Sequence, residues 1–416
     1  MKIETLRSES KGNLARVAAT VTWEDCDRPA QDIYFETTSE FAQVLSCNPH
    51  AFLVASTIPA MHFGEQRISI DAEICPELQE GLITVMSWLR HWYELDRKPV
   101  QIESKSRNVS ALNIPERAGW FFSGGVDSLS VLRANRLNFP LEHPASFKDG
   151  LTIYGISSGG NEVESATEFL DVFDQLVTTM SHVAKDAGVN LIPVYTNVRQ
   201  LNIDTKFWSD EFQGAVLSSV AHAFNRRLTS VSISSTSHIA SLYPHGSHPS
   251  LDPNYSSHDL KIKHSGITLS RLAKTELLAD WDVALQNLKV CTKVRRMQPG
   301  MLNCGKCEKC LRTMTALLAL GKLDKTNVFP NIDITEKLLV DTVYPDCSYL
   351  IFCYRELIPL LEMRGRHDLV RAIERITARY YETDWLGRVK KLISKPFSKS
   401  TGKAEQWDLS NSFTSS

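Results

Sequence analysis

The stretch Trp-Phe-Phe-Ser-Gly-Gly-Val-Asp-Ser-Leu-Ser at residues 120–130 limits the fold more than any other part of the chain. The apolar run Trp120, Phe121, Phe122 reads as the end of a buried strand, and Leu129, Val131, Leu132 and Leu137 follow at helix-like spacing. The glycine pair between them predicts a strand-to-helix turn. Such a turn presents backbone N–H groups at a helix N-terminus, where aligned peptide dipoles attract phosphate oxygens. A Walker loop would place a lysine and then Ser or Thr after its glycine, and neither follows Gly125.

The flanking pattern agrees with this reading. After the turn come a helix, the strand "LTIYGIS", a long helix from about Glu164 to Ala187, the strand "NLIPVYTNV", a helix around Glu211–Arg227 and the strand "SVSISST". This βα alternation predicts an α/β fold: a doubly wound, Rossmann-like parallel sheet with helices on both faces. Ligands of such sheets bind beyond the carboxyl ends of the strands, where the glycine turn lies. Upstream, residues 1–112 mix extended stretches with helical ones near 38–46 and 76–94, which predicts an N-terminal α+β domain. Residues 113–324 carry the turn and a cysteine cluster, residues 325–396 read as a helical region, and the polar residues 397–416 read as a disordered tail.

A chain of 416 residues exceeds the usual single-domain size. Its 46 basic and 48 acidic residues nearly cancel, which gives no electrostatic case for nucleic acid or an anionic membrane as a partner. No apolar run approaches the roughly 20 residues of a membrane span, and the opening "MKIETLRSES" lacks the apolar core of a signal peptide. The expectation is a cytoplasmic protein.

Four of the nine cysteines form the second strong signal: Cys291 in "LKVCTK", then Cys304, Cys307 and Cys310 in "NCGKCEKC". Three thiols at CxxC spacing curl into a knuckle, Gly305 permits the tight turn, and a distant fourth thiolate closes a tetrahedron. That pattern suits Zn²⁺, with an iron–sulfur cluster as the alternative. The overlapping "GMLNCGKC" from Gly300 matches the start of a Walker loop but has cysteine where the hydroxyl residue belongs.

"SGGVDS", Ser123 to Ser128, resembles the pyrophosphatase loop (PP-loop) of the adenine nucleotide alpha hydrolase superfamily, whose pattern is SGGxDS. The resemblance implies ATP cleavage between the α and β phosphates, with AMP passed to an acceptor and pyrophosphate released. It implies that Ser123, Gly124, Gly125, Val126, Asp127 and Ser128 hold the pyrophosphate end through backbone amides, hydroxyls and a Mg²⁺ ion. A PP-loop followed by a distant cysteine and a CGxCxxC knuckle is similar to 7-cyano-7-deazaguanine synthase, the QueC family, over about residues 116–320. In that family ATP activates 7-carboxy-7-deazaguanine, a small deazapurine carboxylate, as an acyl adenylate that ammonia then opens.

Arg271 and Lys274 stand three residues apart and share a helix face. Lys274 matches the lysine before the last family helix, and the resemblance gives Asp127, Arg271 and Lys274 the catalytic work. Ser247, His248, Asp252 and Ser256 are candidates for substrate contact, whereas His245, His248, His258 and His264 read as polar surface rather than a second metal site. The family's Tyr-Pro-Asp-Cys-Arg segment is missing from its usual place; "YPDC" occurs only at Tyr344–Cys347, after the knuckle.

The segments outside residues 116–320 resemble in plan the enlarged QueC-like proteins of antiphage gene clusters such as Qat and type IV CBASS. That implies a protein partner or a protein amine as acceptor. Two other readings keep part of the pattern: an RNA thiolation enzyme whose cysteines hold a cluster, and a nucleotide-sensing subunit without turnover. Arg371, Arg375 and Arg379, interleaved with Glu374 and Glu382, read as a solvated helix face.

Overall fold

The structure, a computed structural model, describes residues 1–93, 96–106, 114–156 and 166–394. Ten strands build one sheet: β1 Lys2–Lys11, β2 Leu14–Thr22, β3 Gln31–Thr38, β4 Arg67–Ile74, β5 Gln101–Ser106, β6 Ala118–Phe121, β7 Phe147–Tyr154, β8 Asn190–Thr196, β9 Ser230–Ser234 and β10 Lys261–Ser265. Their order is β10-β9-β6-β7-β8-β3-β2-β1-β4-β5. The five strands from β6 to β10 are all parallel, in the order expected of a doubly wound fold with β6 in the centre. Connections from β6 run one way to β7 and β8, and the later strands β9 and β10 lie on its other side. The loops after β6 and β9 therefore diverge and open a crevice at their carboxyl ends.

The N-terminal strands continue the same sheet. β3 runs antiparallel to β8, pairing Phe35 with Thr196, Glu36 with Tyr195 and Thr37 with Val194. Side chains reinforce the seam: Thr37 Oγ1 donates to the Pro193 carbonyl, Thr196 Oγ1 to that of Tyr34, and Asn197 Nδ2 to that of Asp32. Residues 107–113, where the boundary at 112 falls, lie outside the described residues, as does the tail at 397–416.

The helices are α1 Pro49–His62, α2 Pro76–Trp92, α3 Val126–Asn138, α4 Ala166–Ala187, α5 Thr205–Phe207, α6 Gln213–His222, α7 Arg271–Ala279, α8 Asp282–Leu285, α9 Glu308–Leu320, α10 Glu336–Thr342, α11 Ser348–Arg355, α12 Ile358–Met363 and α13 His367–Ser394. Between α5 and α6 a π-turn spans Trp208–Phe212. Successive side chains of a strand point to opposite faces, so Phe121 enters the core with α1, α2 and α6 while Trp120 and Phe122 enter the one with α3, α4 and α9. Trp120 stacks on Phe147 with ring centroids 5.2 Å apart. Arg371 and Arg375 on α13 pair with Glu336, and Arg379 donates to the Val340 and Val343 carbonyls, so that face ties α13 to α10. Among the described residues no helix is long and apolar enough to cross a membrane.

Asp149 pins the amino ends of the central strands. Its fully buried carboxylate accepts hydrogen bonds from Arg117 before β6, Arg227 before β9 and Asn190 on β8. Burial alone would raise its pKa, but the hydrogen bonds from Arg117, Arg227 and Asn190 outweigh burial and hold it below the usual carboxylate range. A depressed folded-state pKa stabilises the protein above the unfolded value and loses that contribution as pH falls through the folded one. Asp149→Asn should cost about 3 kcal/mol at pH 7. The gap to wild type should close as pH drops below about 3.9, a comparison that urea unfolding at pH 7 and pH 3 would make.

Candidate active site

The loop Ser123–Gly125 joins β6 to α3 at the crevice. Gly124 sits at φ +74°, a conformation that favours glycine, and a Cβ there would displace the end of the Met180 side chain, whose Sδ lies at 2.8 Å. Gly125 is the N-cap of α3 and no side chain caps the helix, leaving its first amides without a side-chain acceptor. Ser123 and Ser128 close over the turn: their hydroxyls lie 3.2 Å apart, and Ser128 Oγ donates to the Gly125 carbonyl at 3.1 Å. A facing strap lies against the loop through Lys289 N–H, which donates to the Gly124 carbonyl at 2.9 Å.

Asp127, in the first turn of α3, meets α7. Arg271 Nη1 lies 2.9 Å from Asp127 Oδ2, and Lys274 Nζ lies 3.2 Å from Oδ1. The two cations are buried rather than solvated. Burial opposes ionisation of Asp127, but the charges of Arg271 and Lys274 outweigh it and hold the carboxyl below its usual range. Lys274 also donates to the Ser235 carbonyl at 2.5 Å, so it braces Asp127 and the strand-end segment after β9. Arg271 lines the cavity, and Lys274 acts from behind Asp127.

The cavity has a volume of 320 Å³, within the ordinary range for small-molecule sites. Ile153, Ile156, Leu176, Leu217 and Ile233 give the cavity its apolar lining, and Arg271, Lys289, Lys309 and Arg312 give it a cationic one. Arg312 is buried, pairs with Glu308 at 3.3 Å and stacks over Tyr349, yet its Nη1 has no hydrogen-bond partner. Arg271 Nε likewise has none. Burial lowers the Lys289 pKa to about 8, with the charge of Lys309 adding to the effect. Lys309 is lowered by burial and by Arg312. Neither lysine has an ion pair among the described residues. Uncompensated cations around a concave site bind anions, because an anion restores the lost solvation.

Lys289, Lys309 and Arg312 were not singled out from the sequence. Their signal lay in phase with the cysteines: Lys309 and Arg312 are three apart on α9 and flank Cys310.

The four cysteines come together next to these cations, and Cys291 itself lines the cavity. All are buried and free, with their sulfurs within 4.8 Å of one another. Cys291–Cys307, Cys304–Cys310 and Cys307–Cys310 are 3.7, 3.9 and 3.5 Å apart. A tetrahedral ion with Zn–S bonds of about 2.3 Å requires sulfur separations of about 3.8 Å. The cluster therefore has the donor set and spacing to hold a metal ion such as zinc. Gly305, at φ +70°, makes the knuckle turn. Cys307 is the N-cap of α9. Asn303, fully buried, accepts from the Val290 and Cys291 amides and donates to the Leu288 and Val328 carbonyls, clipping the two cysteine-bearing segments together.

Of the other candidates, Ser247, His248 and Asp252 gather with His245 and His264 in a second cluster beside the crevice, where Thr236 lines both spaces. Ser256 Oγ accepts from the Ile262 amide and serves the backbone. His258 is exposed and its amide points to Cys75 Sγ.

No protein-family model, curated protein or solved structure matches the chain.

Two outcomes follow from this geometry. Cys310→Ser should lower the bound metal from one ion per chain towards none and lower the melting temperature, by elemental analysis and calorimetry. Arg312→Met should weaken the binding of an anionic probe, inorganic pyrophosphate, by about tenfold in titration calorimetry while the metal content stays unchanged.

Proposed function

We propose that the cavity is the active site of an ATP-dependent adenylating ligase of QueC-like type, with a deazapurine carboxylate such as 7-carboxy-7-deazaguanine as substrate. The observation that carries the reading is the union of an SGGxDS loop at the switch point of the sheet with a cavity whose four cations outnumber their carboxylate partners Asp127 and Glu308. A loop amide cradle alone fits any phosphate; the added charge fits a triphosphate whose pyrophosphate must leave.

In this account the substrate carboxylate attacks the α-phosphorus of ATP, the bond to the β-phosphate oxygen breaks, and negative charge gathers on pyrophosphate. The loop amides, the Ser123 and Ser128 hydroxyls and the Arg271 guanidinium bind that end. Lys289, Lys309 and Arg312 neutralise what the loop leaves unpaired. Preorganised charge in a partly dry site is worth far more than in water. The apolar wall receives flat rings, of adenine or of the deazapurine.

Asp127 would hold Mg²⁺, which when bound neutralises phosphate charge and aligns the triphosphate. Arg271 and Lys274, paired with its Oδ2 and Oδ1, keep Asp127 ionised and would have to share those oxygens with the ion. The four cysteines would hold Zn²⁺ in a structural role, since all four tetrahedral positions are taken by protein. In the second half-reaction an amine displaces AMP, and the resemblance to the enlarged antiphage proteins makes ammonia or a protein amine the acceptor.

Purified protein should release pyrophosphate from Mg·ATP when 7-carboxy-7-deazaguanine is added. Asp127→Ala should reduce that release by at least about 100-fold with the metal content unchanged, and full release by this variant would refute the reading.

A further inference from the structure

Beside the active-site cavity the structure holds a second, small space that the adenylation step does not use. It has a volume of 10 Å³ and is lined by residues including Ser235, Thr236, His245, Ser247, His248 and His264. That is room for one water- or ammonia-sized molecule. The segment after β9 is the partition: Ser234 and Thr236 line the large cavity, while Ser235, Thr236 and Ser237 line the small one.

The three histidines are not equivalent. His245 Nδ1 accepts from the Ser247 amide and His248 Nδ1 from the Ser250 amide, so both rings serve local turns. Burial disfavours the charged form of each. His264 on β10 instead places Nδ1 2.7 Å from Asp252 Oδ2. Its side chain is only 4% exposed, that of Asp252 is fully buried, and His264 Nε2 has no hydrogen-bond partner.

A neutral imidazole that donates Nδ1–H to a carboxylate offers its lone pair at Nε2. Asp252 is itself held by Ser247 Oγ at 2.8 Å and by the His248 amide at 3.4 Å. The cluster is locked from behind, where Gly214 N–H donates to the Gly246 carbonyl and Gly246 N–H to that of Ser209, both at 2.7 Å. A Cβ on Gly214 would come within 2.4 Å of Asp252 Oδ1. The lock includes the π-turn Trp208–Phe212, a feature frequent at functional sites.

We propose that His264, oriented by Asp252, is the general base of the second half-reaction and that the small space admits the ammonia it activates. The assignment rests on the adenylation reading. As ammonia nitrogen attacks the acyl carbon of the adenylate, the C–N bond forms and the bond from carbon to the AMP oxygen breaks. The released proton passes to His264 Nε2, AMP departs with the bonding pair, and the amide remains. Asp252 stabilises the imidazolium that forms. The two spaces adjoin at Thr236, where ammonia taken up beside Nε2 would meet the acyl carbon within reach of the base.

The test separates the half-reactions in the full-length protein with 7-carboxy-7-deazaguanine, ATP, Mg²⁺ and ammonium chloride. Exchange of labelled pyrophosphate into ATP reports adenylation, and amide formation reports the second step. His264→Gln should lower amide formation at least about 100 times more than it lowers exchange. It should also remove an ionisation from the pH profile of amide formation. The groups facing His264 are Asp252, His245 and His248, with Asp210 beyond His245. Asp252→Asn should act in the same direction, and it serves as the second variant if His264→Gln does not fold.

Equal loss of exchange and amide at unchanged melting temperature would overturn the assignment, as would amide formation within about threefold of wild type. Exchange by wild-type protein without any amide from ammonia would overturn it too. Absence of exchange in the wild type would instead overturn the adenylation reading, and the assignment with it.

Discussion

The four-thiol knuckle is the constraint on which the site depends. Cys307 caps α9 and Cys310 lies in its first turn, so whatever fixes these sulfurs also fixes the pitch and phase of the helix that delivers Lys309 and Arg312. Cys291 does the same for Lys289, two residues earlier on the strap bonded to the glycine loop. Without a cross-link at this point, several like charges would have to be held beside one another by apolar packing alone. Their mutual repulsion is destabilising, and a metal ion held by the four thiols would be a rigid way to offset it.

The second dependence runs through Asp127. One carboxylate joins the start of α3 to α7 through Arg271 and Lys274, and Lys274 continues to the Ser235 carbonyl at the end of β9. The loops that diverge at the switch point are thereby tied together. On the other side of the partition, Asp252 gives His264 a similar fixed orientation. Two acids thus organise two adjoining spaces, one lined with arginine and lysine side chains and one with imidazoles. Glu356 extends the frame: it accepts from the Leu272 amide at 2.8 Å and links α11 to the helix that bears Arg271.

The βα core and the loop were legible because each uses a local rule: strand runs, a glycine turn and helix spacing in sequence order. The cysteine cluster was legible for the same reason, since three of its thiols lie within seven residues. Helix α1 was not, because its residues from His50 to Met61 are buried on every side and leave no amphipathic period to read. β1 carries mostly polar residues although it lies between β2 and β4. The continuation of the sheet through β3 and β8 depends on a pairing across more than 150 residues, which periodicity cannot register. Arg312 and Lys289 were not singled out, because only tertiary packing turns them inward. His264 read as polar surface, because its partner Asp252 lies on a separate turn and faces it only once β10 is in place.

The central claim is that a carboxylate attacks the α-phosphorus in the crevice, and the fate of its oxygen tests this most directly. Substrate labelled with ¹⁸O in the carboxylate would be turned over with ATP and an amine, and the AMP and phosphate products examined by mass spectrometry. The account predicts one labelled oxygen in AMP and none in pyrophosphate. Label in inorganic phosphate, or unlabelled AMP formed alongside the amide, would contradict it.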